Sequence, residues 1–329
     1  MHQANIARDA CSIPCNLCGA RDVEQVGSVD RHGKSLRTVI CKRCGLVWTD
    51  PRPSSEENRH FYAEDYRLKY KRIYTPKLKH AYRETCRALE RAESIAPILR
   101  SGMRVLDVGS GGGFFLYVLG RRGMDGQGVE PNKGFAGYSQ QELGVKTING
   151  FLQEVKLPNQ SFDVVTLNHV LEHLEDPWVT LCRLKYLAKR DGYVVIEVPN
   201  IEATYHAPNN RFHIGHLYNF NRATLERFGV KAGLSVHRST LIPGTNHLHV
   251  IFRNVDREPS TVQDWAIEGN YQHVRNFLKT HTTLRHFASA TPYQRFVRKQ
   301  MQNVREWREV RHGQSGKDIV DQTEIRPAA

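Results

Sequence analysis

The stretch of this 329-residue chain best suited to holding a ligand is Val105-Leu106-Asp107-Val108-Gly109-Ser110-Gly111-Gly112-Gly113-Phe114. An apolar run ends in an acid, turns through closely spaced glycines and enters a segment with helical character. Glycine suits such a turn because it takes positive φ and lets the backbone lie against a bound molecule. The helix that follows points unpaired N–H groups at that molecule. Two nucleotide-like ligands fit this unit. The dinucleotide fingerprint G-x-G-x-x-G sets a pyrophosphate on the helix N-terminus. Here Phe114 stands at its third glycine position, while Gly109, Gly111 and Gly113 alternate behind Asp107. About twenty residues on, Gly126-Gln127-Gly128-Val129-Glu130-Pro131-Asn132 reads as a strand ending in an acid, placed to accept both ribose hydroxyls.

A second constellation is Cys15-Asn16-Leu17-Cys18 with Cys41-Lys42-Arg43-Cys44. Each knuckle offers two thiolates from one tight turn, and Gly19 and Gly45 close the turns. Cys15, Cys18, Cys41 and Cys44 thus have the spacing of a tetrahedral zinc site, with redox pairs or unligated thiols as the alternative. A segment this small does not fold on burial alone, so the metal's part is structural. Cys11, Cys86 and Cys182 lack partners in sequence and read as small core residues.

These residues need elements to position them. Arg37–Ile40 and Leu46–Trp48 read as ribbon strands. Asp50-Pro51-Arg52-Pro53-Ser54 breaks the ribbon from Glu56–Tyr74, whose aromatic and basic residues pack on a neighbouring domain or stack on nucleobases. Leu78–Leu99 has helical spacing through Ala81, Thr85, Ala88, Leu89, Ala92, Ile95 and Ile98. The glycine turn leads to a helix at Phe115–Leu119 ended by Gly123, and Gly144 stops another at Phe135–Leu143. Val145–Gly150, Ser161–Asn168 and Gly192–Asn200 are the third to fifth strands. Trp178–Leu187 and Ala223–Ala232 are helices. Val236–Leu241 and Leu248–Arg253 pair through the Pro243-Gly244 turn. This alternation predicts an α/β fold with a doubly wound, mostly parallel sheet and an antiparallel edge. Residues 1–50 form the zinc ribbon, 51–100 a linker and helical lead-in, 101–255 the ligand-binding domain and 256–329 a basic helical extension. In that extension Phe296, Val297, Met301, Val304 and Trp307 share one helical face, with Arg295, Arg298, Lys299, Arg305 and Arg308 elsewhere. Such a helix docks on its own domain or a second subunit, or lies on an anionic membrane. The residues after Gly313 read as a frayed tail.

A formal net charge of +13 favours anionic partners without choosing between nucleic acid, phosphorylated small molecules and lipid. No apolar run approaches a membrane span, and the polar Met1–Arg8 resembles no secretory signal. Seven cysteines, an odd count, argue for reduced thiols. The expected location is cytoplasmic.

The D-x-G-x-G-x-G turn, Glu130, Phe162-Asp163-Val164-Val165 leading to Leu171-Glu172-His173-Leu174-Glu175-Asp176-Pro177, then Val198-Pro199-Asn200 and His216-Leu217-Tyr218-Asn219-Phe220, together resemble the ubiquinone-biosynthesis-type branch of class I S-adenosylmethionine-dependent methyltransferases. The ribbon is similar to the N-terminal zinc ribbon on bacterial members associated with glycan or secondary-metabolite assembly. The resemblance implies that Asp107, Gly109, Ser110, Gly111 and Gly113 hold the methionine end of the cofactor and Glu130 the ribose. Pro131 and Asn132 flank the adenine, while Asn168 and His169 line the site. The family pattern has Gly-Asp after the third strand. Here Gly150-Phe151 replaces it, so Phe151 meets the adenine without that carboxylate.

Methyl transfer from a sulfonium needs alignment and exclusion of water, and a hydroxyl acceptor needs a base as well. His169, Glu172 and His173 share a helical face beyond the fourth strand. Some ubiquinone-type enzymes hold a divalent cation there with Glu-x-x-Glu-His. Here the first acid is His169, which weakens the case for a hard cation. The long loop 200–221 supplies His216 as the leading base candidate, with His169 and His173 as the others. Tyr205, Arg211, His213 and Tyr218 are its substrate-binding candidates, Arg211 for an anionic group. The expected activity is O-methylation, less readily C-methylation, of a sugar, glycan precursor or other small anionic metabolite. RNA methylation and an inactive zinc-ribbon interaction protein are the alternatives.

Overall fold

A computed structural model describes residues 13–54, 56–57, 75–261, 263–310 and 315–325. Cys11 and the aromatic and basic residues from Phe61 to Tyr74 lie outside these. The ribbon is built from β1 (Val23–Val29), β2 (Ser35–Cys41) and β3 (Val47–Thr49), paired antiparallel in that order. Its fourth strand comes from far along the chain. β9 (Tyr218–Asn219) joins β3 with Val47 opposite Asn219 and Trp48 opposite Tyr218.

The main sheet contains β4 (Arg104–Val108), β5 (Asp125–Glu130), β6 (Lys146–Asn149), β7 (Phe162–Asn168), β8 (Ala188–Val198), β10 (Leu234–Leu241) and β11 (Leu248–Asn254). Their spatial order is β10-β11-β8-β7-β4-β5-β6. The five strands from β8 to β6 pair parallel, and β11 and β10 add the antiparallel edge. β4, first in the chain, lies between β5 and β7, so the chain winds away from it in both directions. A crevice therefore opens beyond its carboxyl end.

Helices α1 (Leu78–Ile95), α2 (Phe114–Arg121), α3 (Lys133–Leu143), α4 (Pro177–Leu187) and α5 (Arg222–Lys231) accompany the sheet. Local chemistry sets their starts. Asn132, Asp176 and Asn221 accept backbone N–H groups at the first turns of α3, α4 and α5. α1 buries Ala81, Thr85, Ala88, Ala92 and Ile95, the face its spacing predicted.

Ribbon and sheet share one core in which Cys15, Leu17 and Trp48 pack with Leu217, Tyr218 and Phe228. The Lys231 ammonium reaches back to the carbonyls of Asn16 (3.0 Å) and Leu17 (2.8 Å). The C-terminal helices α6 (Asn270–Thr280), α7 (Thr283–Phe287), α8 (Thr291–Val310) and α9 (Gly316–Ile325) divide their contacts. α6 clamps the ribbon: Asn270 donates to the Cys44 carbonyl (2.8 Å) and Arg275 pairs with Glu24 (2.7 Å).

Two expectations for this region change. The residues after Gly313 are not a frayed tail throughout. α9 buries Ile319 and Val320 in the core formed with α1 and α2, and the Tyr117 hydroxyl donates to Asp321 (2.7 Å). The apolar stripe of α8 does not dock on the domain either: Phe296, Val297, Met301, Val304 and Trp307 are all more than half exposed.

Candidate active site

The glycine turn is fastened to the end of β5, because the N–H groups of Gly109 (2.7 Å) and Ser110 (3.1 Å) both donate to the Val129 carbonyl. Glu130, buried beside it, accepts from the Gly111 N–H through Oε2 (2.8 Å) and from the Asn132 N–H through Oε1 (2.9 Å). Each oxygen thus spends one lone pair on the backbone and keeps one for a ligand. Gly109 sits at φ +75°, and a Cβ there would run into the Val170 side chain. Across the crevice floor, Thr166 (2.6 Å) and Asn168 (3.2 Å) donate to Asp107. Burial raises Asp107 to about 6, with those hydrogen bonds opposing it.

A cavity of about 1160 Å³ opens over this turn. That is room for a nucleoside cofactor together with an acceptor. Asp107, Gly109, Ser110, Gly111, Glu130, Pro131, Phe151, Asn168 and His169 line it. Gly113 and Asn132, also expected on the cofactor, are placed behind it. Gly113 begins α2, where a side chain would strike Ser139. Asn132 is turned inward to cap α3 through the Phe135 N–H (3.1 Å). Phe151 supplies a ring where the family pattern has a carboxylate.

Beyond β7 and β8 the wall is built of histidines and carboxylates. His169 takes the left-handed region at φ +55°, uncommon outside glycine, and its N–H donates to the Glu197 carbonyl (2.7 Å). Its ring lies between two acids, Nε2 on Glu197 (2.8 Å) and Nδ1 toward Glu172 (3.5 Å). Glu197 is gripped from its other side by Arg91 of α1 (2.9 and 3.1 Å). Burial would lower His169, but the hydrogen bonds of Glu172 and Glu197 outweigh it and raise it to about 9. Burial would likewise raise Glu172, yet the charge of His173 and the His169 hydrogen bond bring it to about 2. Glu197 is held well below the carboxylate range: burial is overcome by His169 and then Arg91. The result is an alternating chain of charges, Arg91, Glu197, His169, Glu172.

His216 and His247 stand against this chain as neutral rings. Burial, then the charge of His173, holds His216 far below its usual value. Burial, then His169, lowers His247 to about 4. His173 points Nδ1 at the Gly215 carbonyl (2.7 Å), which turns Nε2 toward Glu172 (3.7 Å). The three expected catalytic histidines, His169, His173 and His216, all line the cavity. Arg91, Glu197, His247 and His249 line it too and were missed. An acid inside the apolar run Val194–Val198 was the one signal for Glu197.

A pH dependence of stability follows. His169 lies above its unfolded value of about 6.5. Its contribution is therefore complete below about pH 6.5 and is lost as pH rises through about 9. Urea unfolding midpoints measured from pH 6.5 to 9.5 should fall in the native chain. His169→Gln should flatten that part of the curve.

The loop residues expected on the substrate face elsewhere, and none of the four lines the cavity. Tyr218 is fully buried in β9, its hydroxyl shared with Arg52 (2.7 Å) and the Glu175 carbonyl (3.1 Å). His213 is buried and accepts the Gly215 N–H (3.0 Å). Arg211 bonds His281 (2.6 Å) and lies over Phe277, so its charge goes to α6. Tyr205 is covered by Arg295 of α8.

At the ribbon's head, Cys15–Cys44 and Cys18–Cys41 have sulfur separations of 3.5 Å, and all four sulfurs lie within 4.8 Å of one another. Zinc–sulfur bonds near 2.3 Å in a tetrahedron require about 3.8 Å between sulfurs, so the residues fit that ion. The Arg43 N–H donates to Cys41 Sγ (3.4 Å), as a thiolate acceptor requires.

Sheet order, crevice and buried acid together define a nucleoside-binding α/β domain. A family model for the methyltransferase domain matches residues 78–291, and the chain belongs to that family. It is 32% identical over 114 residues to a ubiquinone biosynthesis O-methyltransferase of Azorhizobium caulinodans, covering 33% of this chain and 44% of that one. Against an uncharacterized methyltransferase of a Mycobacterium species it is 39% identical over 79 residues, covering 23% and 31%. The matched stretch thus spans less than half of these relatives' own length. Among solved structures, a chain of the Haloferax volcanii complex between the Trm112 methyltransferase activator and a methyltransferase superposes with a TM-score of 0.50 at 14% identity, covering 60% of this chain and 99% of that one. That likeness is one of fold. No helix among the described residues is long and apolar enough to cross a membrane.

Proposed function

We propose that the chain transfers the methyl group of S-adenosylmethionine to a hydroxyl, less readily to a carbon, of a small molecule. The observation that carries this reading is the buried Glu130 carboxylate, bonded to the Gly111 N–H with acceptor capacity left over, on the floor of a cavity walled by neutral and charged histidines. Bound S-adenosylmethionine supplies an electrophilic methyl group on a sulfonium. Glu130 holds the ribose hydroxyls, and the glycine turn leaves space for the methionine end. Phe151 packs on the adenine in place of a side-chain hydrogen bond. An acceptor hydroxyl aligned with that methyl group would give its proton to His216. Neutral His216 can take that proton, and anionic Glu172 stabilises the imidazolium that forms.

The acceptor class favoured is a sugar, glycan precursor or comparable metabolite carrying an anionic group. Arg211 is turned away; Arg87 of α1, on the cavity wall, would take the anionic group by leaving its pair with Glu84 (2.8 Å). A labelled-methyl transfer assay on cell extract, fractionated into small metabolites, glycans, lipids and RNA, tests the assignment. Label in the RNA fraction alone would overturn it. His216→Ala should lower kcat about 100-fold with little change in cofactor affinity. Unchanged turnover would remove His216 from the reaction.

A second reading rests on one atom. Glu172 Oε2 is buried with no hydrogen-bond partner among the described residues, and Glu172, His173 and His216 offer three donors within 4.8 Å. A divalent cation there would polarise the acceptor hydroxyl. Elemental analysis decides: one metal ion per chain fits the cysteine site alone, two fit both sites, and Glu172→Gln should then return the count to one.

A further inference from the structure

α8 sits on the protein with its amphipathic faces reversed. Its one buried residue is polar: Glu306 is 6% exposed, bonds Arg83 of α1 through both oxygens (2.8 Å each) and accepts from Gln302 (2.7 Å). Its apolar side faces out, with Phe296 63%, Val297 55%, Met301 53% and Val304 51% exposed along one stripe, and Tyr293 and Trp307 at the ends. On a helix, Arg298 and Arg305 border this stripe on one edge and Lys299 on the other, while Arg308 falls within it, one turn beyond Val304. All four are exposed, and none is ion-paired among the described residues. All but its first residue lie beyond the stretch matched by the family model.

We propose that this face binds the surface of an anionic membrane, with α8 lying in the interface plane. The charge pattern chooses the occupant. A second copy of the helix would bring like charges together at both edges of the stripe, which opposes pairing. An anionic bilayer neutralises the same cations while the apolar stripe enters the acyl boundary. Aromatic residues at the ends of the stripe suit the headgroup level. The Arg83–Glu306 pair ties α8 to the helix that lines the cavity. The inference does not depend on the chemistry of the cavity.

Co-sedimentation of the full chain with vesicles of 70% phosphatidylcholine and 30% phosphatidylglycerol tests it, with pure phosphatidylcholine vesicles alongside. Binding to the anionic vesicles that weakens at high salt is expected, with little to the neutral ones. Phe296→Glu with Met301→Glu should weaken it by about tenfold or more, and so should Lys299→Glu with Arg305→Glu, both with unchanged melting temperature. Failure to sediment with anionic vesicles, or equal binding to neutral ones, overturns the proposal. So does sedimentation equilibrium showing a lipid-free dimer that the Phe296→Glu, Met301→Glu pair dissolves, since the stripe would then belong to a second copy.

Discussion

Glu130→Ala should lower the affinity for S-adenosylhomocysteine by roughly a thousandfold, read by calorimetry on the purified variant. Hydrogen bonds to a charged group contribute about 1.5–3 kcal/mol each, and the ribose would lose two. The internal cost adds to this. Oε1 and Oε2 pin the Asn132 and Gly111 N–H groups, so their removal also loosens the turn that faces the cofactor. Glu130→Gln keeps one acceptor and should lose less. An alanine variant that binds within threefold of the native chain would show that the ligand is held elsewhere. The fold itself should survive, because Glu130 ends β5 and that strand pairs with β4 and β6 through its backbone.

A zinc ion held by the four cysteines would matter well beyond the ribbon. β3 holds β9 by main-chain pairing, and Thr49 adds two bonds, from N–H to the Leu217 carbonyl (2.9 Å) and from Oγ1 to the His216 carbonyl (3.1 Å). The ribbon is thus the template on which the loop carrying His216 is laid. Structural zinc sites contribute on the order of 10 kcal/mol, comparable to the whole stability of a domain. Cys41→Ser with Cys44→Ser should lower the melting temperature by roughly 20 °C. It should also abolish methyl transfer, although no cysteine among the described residues lines the cavity. A variant that melts within a few degrees of the native chain and keeps its turnover would show that the head folds without metal.

Much of this architecture was legible because its signals are local. Glycine spacing, a strand-terminal acid and paired C-x-x-C knuckles each declare themselves within ten residues. The mostly parallel sheet with its antiparallel edge followed from the alternation of periods, though the order of its strands did not. What could not be read joins residues far apart in the chain. β9 carries only two residues, and its partner Trp48 lies 170 positions earlier, so no local pattern marks it as a strand. Arg91 sits on the polar side of an amphipathic helix, where solvent is the default, yet its carboxylate partner stands 106 residues away in β8. Tyr205, Arg211, His213 and Tyr218 were assigned to the substrate because their loop is long and chemically rich. The loop spends that chemistry on holding the ribbon and the C-terminal helices. α9 was misread because Ile319 and Val320, which it buries, fall in a largely polar run.

A crystal structure with S-adenosylhomocysteine tests the central assignment most directly. The account places both ribose hydroxyls on the Glu130 carboxylate and the amino-acid end over Gly109 and Gly111, with His216 facing the sulfur across open space. A crevice that excludes the nucleoside, or a nucleoside bound with its ribose away from Glu130, would contradict it.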